Sequence, residues 1–154
     1  NSPNVIFIKD LEGRYVLVNR QFESIFKISQ QYINGKTDFD LFPAELAATL
    51  RQHDQLVLHS SVHMELEEII PTAGQLLTYI SNKFPLLNLE GEPYAVCGIS
   101  TDITGRKQME TLLKQSEEKF RQLAENVDAV FWLRSTREVI YISPAYEKVW
   151  GRTC

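Results

Sequence analysis

The chain has 154 residues, enough for one domain with a real core, and its 44% apolar and 23% charged residues are ordinary for a globular protein. A net charge of −4 argues against nucleic acid as a partner, because phosphate binding needs a basic surface. No apolar run approaches the ~20 residues of a membrane span, and two cysteines, Cys97 and Cys154, fit neither a disulfide framework nor a zinc site.

The chain opens Asn1-Ser2-Pro3-Asn4, neither a start methionine nor a signal peptide. It is therefore expected to be a cytoplasmic piece of something longer, whose parent could still be attached to a membrane. Val5 to Ile8 reads as a strand, Asp10-Leu11-Glu12-Gly13-Arg14 as a turn, and Tyr15 to Val18 as the second strand of a hairpin. Asn19 is a helix cap, and Phe22, Ile25 and Phe26 recur behind it at helical spacing. The segment from Ile33 to Pro43 is irregular, with Phe39, Leu41 and Phe42 expected to anchor it. Pro43 suits the start of a helix running to about His59, with Leu46, Leu50, His53 and Val57 along one side. Strands are expected over Val62–Ile70, Leu76–Leu87 and up to Ile103, joined by turns. Cys97, within the last, reads as a buried reduced thiol. Hairpin connections imply an antiparallel sheet, so the fold class is α+β, with helices covering one face.

At Asp102-Ile103-Thr104-Gly105 a strand hands over to a helix, and Asp102 and Thr104 carry oxygens that can satisfy the first helical N–H groups. The helix runs from Arg106 to about Val127, roughly 30 Å. Met109, Leu113, Ser116, Phe120, Leu123 and Val127 are spaced 4, 3, 4, 3, 4, an a/d seam that suits a parallel homodimer. Beyond it the beginning of the chain recurs. Sliding Phe7 onto Phe131, an offset of 124, lays Tyr15–Val18 over Val139–Ile142 and Asn19 over Ser143 without a gap. The expected organisation is a core over 1–104, a linker helix over 105–127, and the start of a second, incomplete unit over 128–154.

No catalytic constellation stands out. His59 and His63 have the spacing of a helical zinc pair but are expected to lie on different elements. Glu65, Glu67 and Glu68 read as a solvated strand face, with Glu65 facing Lys83 across the hairpin if its turn centres on Thr72-Ala73.

In order and spacing, Ser2 to Arg14, Asn19 to Glu23, Lys83 to Leu86, Gly98 to Ser100 and above all Asp102-Ile103-Thr104-Gly105-Arg106-Lys107 resemble the PAS domain family of sensory modules. The last stretch is similar to the family's Asp-Ile-Thr signature at the exit to an output helix. The resemblance implies a five-stranded antiparallel sheet with helices on one face and a pocket between them. It also implies a non-enzymatic sensor linked to a kinase or cyclase output. Pocket residues implied by the resemblance are Phe22, Phe26, Phe39, Leu56, Tyr79, Ser81, Lys83, Val96, Gly98 and Ser100. Asp102, Thr104, Arg106 and Lys107 are implied to relay the signal. Three readings stay open: a sensor of a small molecule, a ligand-free dimerisation and relay domain, and a haem sensor through His53. A flavin photosensor needs a reactive cysteine that Asn34 to Leu41 does not contain. No metal is expected unless His53 binds haem, and no resident cofactor is expected.

Overall fold

In the computed structural model, residues 2–72, 74–126, 130, 132–143 and 145–151 are described. Residues 1–105 form one unit and 106–154 another. In the first, β1 (Val5–Asp10) and β2 (Tyr15–Val18) form a hairpin, followed by α1 (Arg20–Phe26), α2 (Gln30–Ile33) and a single 3-10 turn at Asp38–Asp40. The long helix α3 (Ala44–Ser60) leads to three antiparallel strands, β3 (Met64–Thr72), β4 (Gln75–Leu87) and β5 (Pro93–Asp102). The strand order is β2-β1-β5-β4-β3, so the first strand lies beside the last. Val5 pairs with Ser100, Phe7 with Gly98 and Lys9 with Val96.

Period-2 alternation decides which strand residues face the helices. Val5 and Phe7 of β1, Ile70 of β3, and Leu77 and Tyr79 of β4 form the core with Phe22, Ile33 and Leu50 from the helices. Asn19 secures the entry to α1. Its Oδ1 accepts from the N–H groups of Phe22 and Ile6, both at 3.0 Å, and its Nδ2 donates to the carbonyl of Asn4 at 2.8 Å. One amide therefore caps the helix and ties it to the first strand.

Several expectations are corrected. The buried stripe of α3 is Ala47, Leu50, Asp54 and Val57, so the inner face carries an acid and His53 stands at its edge. Phe39 is 56% exposed, because the 3-10 turn sends Asp38 inward and Phe39 out. The β3–β4 register differs by one residue from the expected one, with Thr72 opposite Gln75 and Met64, not Glu65, opposite Lys83. A slip of one residue exchanges the faces of a strand. Glu65 is accordingly exposed and Lys83 buried, on opposite faces, and no Glu65–Lys83 pair forms. Glu67 is exposed as expected, but Glu68 is buried, because Met64, Leu66, Glu68 and Ile70 share the inward face.

The helix α4 (Thr104–Asn126) begins two residues earlier than expected. Met109, Leu113 and Leu123 are exposed along it; Val127 lies outside the described residues. Within the second unit, Phe120 packs edge-on against Tyr141 with ring centroids 5.4 Å apart. That unit contains β6 (Trp132–Arg134), β7 (Val139–Ile142) and α5 (Ala145–Trp150). Its hairpin pairs Trp132 with Ile142, Leu133 with Tyr141 and Arg134 with Val139, with an irregularity before the last pair. The β1–β2 hairpin shows the same sequence of pairs, Phe7 with Val18, Ile8 with Leu17 and Lys9 with Tyr15, with the same irregularity. The second strands match at the expected offset, but in the first strands Phe7 answers to Trp132. The ungapped slide is thus out by one there, because the second turn is a residue shorter. Phe131 and Cys154 lie outside the described residues.

Candidate ligand site and helix junction

Between the sheet and the helices of the first unit lies a cavity of about 40 Å³. Of the ten pocket residues implied by the resemblance, Phe22, Phe26, Tyr79, Ser81, Lys83 and Ser100 line it. Phe39 and Leu56 do not; both are turned to solvent, Leu56 because it stands off the buried stripe of α3. Val96 is fully buried away from the cavity. Gly98 acts indirectly: a Cβ there would fall 2.1 Å from the ring of Phe7, so the missing side chain is what lets that ring lie across β5. The remaining walls, among them Val5, Phe7, Phe42, Leu50 and Ile70, are apolar, and Lys9 and Glu68 complete the lining.

Along one side of the cavity runs a chain of buried charges. Lys9 Nζ donates to Asp38 Oδ2 at 2.6 Å and to Asp54 Oδ2 at 2.8 Å. The Tyr15 hydroxyl donates to Asp38 Oδ1 at 2.7 Å. Lys83 Nζ lies 3.1 Å from Asp54 Oδ1 and 2.8 Å from Glu68 Oε1, and Glu68 Oε1 lies 3.1 Å from His53 Nδ1. Burial works against charge on Asp54 and Glu68. The lysines outweigh it, Lys9 and Lys83 beside Asp54 and Lys83 beside Glu68, holding both carboxyls below their ordinary range. Burial likewise opposes charge on Lys83, and Asp54 and Glu68 raise it above the ordinary lysine value. Burial and then Asp38 keep the Tyr15 phenol protonated well beyond its usual range. Asp54, Glu68 and Lys83 are therefore charged at neutral pH, in a place where an unpaired charge would be very costly.

Lys83 is paired by proximity only. Both carboxylates hold it as ion pairs, and neither its ammonium nor the buried Tyr79 hydroxyl makes a well-formed hydrogen bond among the described residues. Burial, and secondarily Asp102, push the Tyr79 phenol up to about 12. Ser81 and Ser100, between them on the same face, are satisfied by each other at 2.7 Å.

Sequence reasoning missed Lys9, Asp38, Asp54 and Glu68. The signal was present in three of them: each interrupts an apolar alternation, Val5-Phe7-Lys9 on β1, Leu66-Glu68-Ile70 on β3, and Leu50-Asp54-Val57 on α3. His53 does not suit haem, since its Nδ1 faces Glu68, it does not line the cavity, and the cavity is far too small for a macrocycle. His59 and His63 fall on different segments, and no group of residues able to hold a metal occurs among the described residues. Cys97 is buried and free, and burial pushes its thiol up.

The junction lies at the other end of β4. Asp102 Oδ1 accepts from the N–H of Thr104 at 2.8 Å. Thr104 Oγ1 accepts from the N–H of Thr78 at 2.8 Å, and the N–H of Ile103 donates to the Thr78 carbonyl at 2.9 Å. Thr78 adjoins Tyr79, a wall of the cavity, so a single peptide separates that wall from the start of α4. Arg106 pairs with Glu110 at 2.8 Å along the helix. Lys107 is exposed, its carbonyl accepting from the Thr111 hydroxyl.

A sheet in this strand order, helices over one face, a central cavity and an exit helix bonded to the cavity strand define a sensory-type module. The chain belongs to the PAS fold family, whose profile matches residues 1–108. It is 38% identical over 107 residues to the Methanogenesis regulatory histidine kinase FilI of Methanothrix harundinacea, covering 70% of this chain and 12% of that protein. It is 29% identical over 137 residues to a diguanylate cyclase of Vibrio cholerae, covering 87% of this chain and 40% of that protein. The chain thus spans less than half the length of these two relatives. Among solved structures, the PAS domain of Bordetella pertussis BvgS shares the fold with a TM-score of 0.62 and 22% identity, over 77% of this chain and 90% of that one. The PAS domain of the Cronobacter turicensis RpfR quorum-sensing receptor, solved in complex with BDSF, gives 0.57 and 23%, over 68% and 97%. No helix among the described residues is long and apolar enough to cross a membrane.

Proposed function

We propose that this chain is a PAS input module of a larger signalling protein, sensing a small molecule in the cavity and passing the change through α4 to a kinase or cyclase output. The observation that carries this reading is the Thr78–Thr104 bond, which joins the cavity strand to the first residue of the exit helix. The module itself does no chemistry; it converts a change in packing around Tyr79 into a change in how α4 is held. Residues 1–104 are the core, 105–127 the linker and 128–154 the start of a second PAS domain, as the repeated hairpin register supports. The ligand-free relay reading shares the junction and differs only at the cavity.

The relay reading also asks for a partner. Met109, Leu113 and Leu123 are each more than 60% exposed on one seam of α4. Burying a large apolar side chain is worth about 1.5–3 kcal/mol. A second copy, packed in parallel by two-fold symmetry, would cover the seam and set two junctions side by side. Two experiments test the proposal. Sedimentation at micromolar concentration should give a dimer that Leu113→Glu/Leu123→Glu converts to monomer; a monomeric wild-type chain refutes the seam. In the full-length parent, Asp102→Ala and Thr104→Val should shift output while the urea transition of the domain moves by no more than a helix cap's worth, about 1 kcal/mol. Wild-type output in both variants, or collapse of the domain, refutes the relay.

A further inference from the structure

We propose that a small uncharged molecule bearing a hydrogen-bond acceptor enters between Phe26 and Phe42 and accepts from the Lys83 ammonium. This inference rests on the reading of the cavity as a ligand site and specifies what that site takes. Two buried donors open on the cavity without a hydrogen-bond partner among the described residues, Lys83 Nζ, which Asp54 and Glu68 flank as ion pairs, and the Tyr79 hydroxyl, whereas the serine hydroxyls are already paired. Buried donors in native proteins are nearly always satisfied, so the site calls for an acceptor.

The acceptor has to be neutral. Lys9 and Lys83 already face three carboxylates, Asp38, Asp54 and Glu68. An anion would add like charge beside Glu68, which sits 2.8 Å from the same ammonium. A cation would compete with Lys83 for its carboxylates. A carbonyl or ring nitrogen uses the idle N–H without altering the charge balance.

Room and route come from the same two rings. On its outer side, a surface hollow of about 230 Å³ is lined by Phe26 and Phe42 together with Ile28, Leu41 and Pro71. Phe26 and Phe42 also line the inner cavity, and they meet edge-on at 5.7 Å, both half-buried. They form the partition between the two spaces. Rotating them joins a cavity of water-sized capacity to a space large enough for a ring compound, with Lys83 at its inner end.

The test uses the full chain and three probes of similar size, 2-pyridone, benzoate and toluene, followed by protein NMR at neutral pH. Saturable 2-pyridone binding is expected in the millimolar range, about what a ligand of roughly seven non-hydrogen atoms supports. The Gly98 and Ser100 amides should shift. Benzoate and toluene should bind about ten- to hundredfold more weakly, the worth of a hydrogen bond to a charged group. Lys83→Met should abolish the preference, and because it strands Glu68, Phe26→Trp provides an independent check by slowing entry. Tighter binding of benzoate, or equal binding of toluene, overturns the neutral-acceptor assignment and leaves the ligand reading standing. Failure of all three probes to move any cavity amide overturns both.

Discussion

Replacing Lys9 by methionine keeps the length of the side chain and removes its charge. Lys9 is 1% exposed, and its ammonium is hydrogen-bonded to Asp38 and Asp54, themselves 2% and 0% exposed. Lys83 still stands near Asp54, and the Tyr15 hydroxyl still donates to Asp38, but Asp38 loses its ammonium. Removing one partner of a buried pair costs about 3–5 kcal/mol, a large fraction of the 5–15 kcal/mol typical of a domain. At about 4–8 °C per kcal/mol for a unit of this size, the midpoint of thermal unfolding should fall by at least about 12 °C. Lys9→Met/Asp38→Asn should recover part of the loss, since the stranded charge goes with its partner. Urea unfolding of the full chain followed by far-ultraviolet circular dichroism is the suitable assay. Tryptophan fluorescence would mislead, because both tryptophans, Trp132 and Trp150, belong to the second unit. A loss below about 1 kcal/mol for Lys9→Met, the scale of an exposed pair, would refute the view of the cluster as a set of mutually dependent buried charges.

Two further outcomes follow from the same site. Gly98→Ala should cost about 1–3 kcal/mol through overpacking against Phe7, and Phe7→Leu in the same chain should return part of it; an unchanged urea midpoint would show that the ring can move aside freely. Stability should also fall in acid. The folded-state values of Asp54 and Glu68 lie below 3.8 and 4.5, so their contribution is full above those values and is lost as pH falls through the depressed ones. Lys83 lies above 10.5, so its contribution is lost only as pH rises past that value, which leaves a plateau across neutrality. Asp54→Asn/Glu68→Gln should flatten the acid limb, and an unaltered limb would place the titrating groups elsewhere.

Elements with strong local signals were legible in the sequence. The β-branched and aromatic run Tyr15–Val18, the cap at Asn19 and the Asp102–Thr104 exit all stand where local chemistry puts them. The exit was the most legible, since its bonds link residues at most two apart or neighbouring strands. Properties set by a count of residues across a turn were less so. One residue of β3–β4 register decides whether Glu65 or Met64 stands opposite Lys83, and with it whether Glu68 faces solvent or the core. Composition-based expectation also treats a charge on a strand as a mark of the outer face. Here Lys9, Lys83 and Glu68 follow the apolar alternation inward, and each is tolerable only because the others do the same. No single position reveals that mutual dependence; Asp38 and Lys9 are 29 residues apart, and Asp54 and Lys9 45.

The pairing of β1 with β5 bears on how the unit is made. Of this unit's strands β1 leaves the ribosome first, yet one whole edge of it waits for Pro93–Asp102, roughly ninety residues later. Pairings this distant in sequence close slowly, because chain entropy is lost before the contacts reward it. The meander β3–β4–β5 joins neighbours and can assemble as each strand emerges. Phe7 meets Gly98 only when β1 docks along β5. The ammonium that the acids of the core require thus arrives on the unit's earliest-made strand, whose pairing along one edge has to wait for the unit's last-made strand.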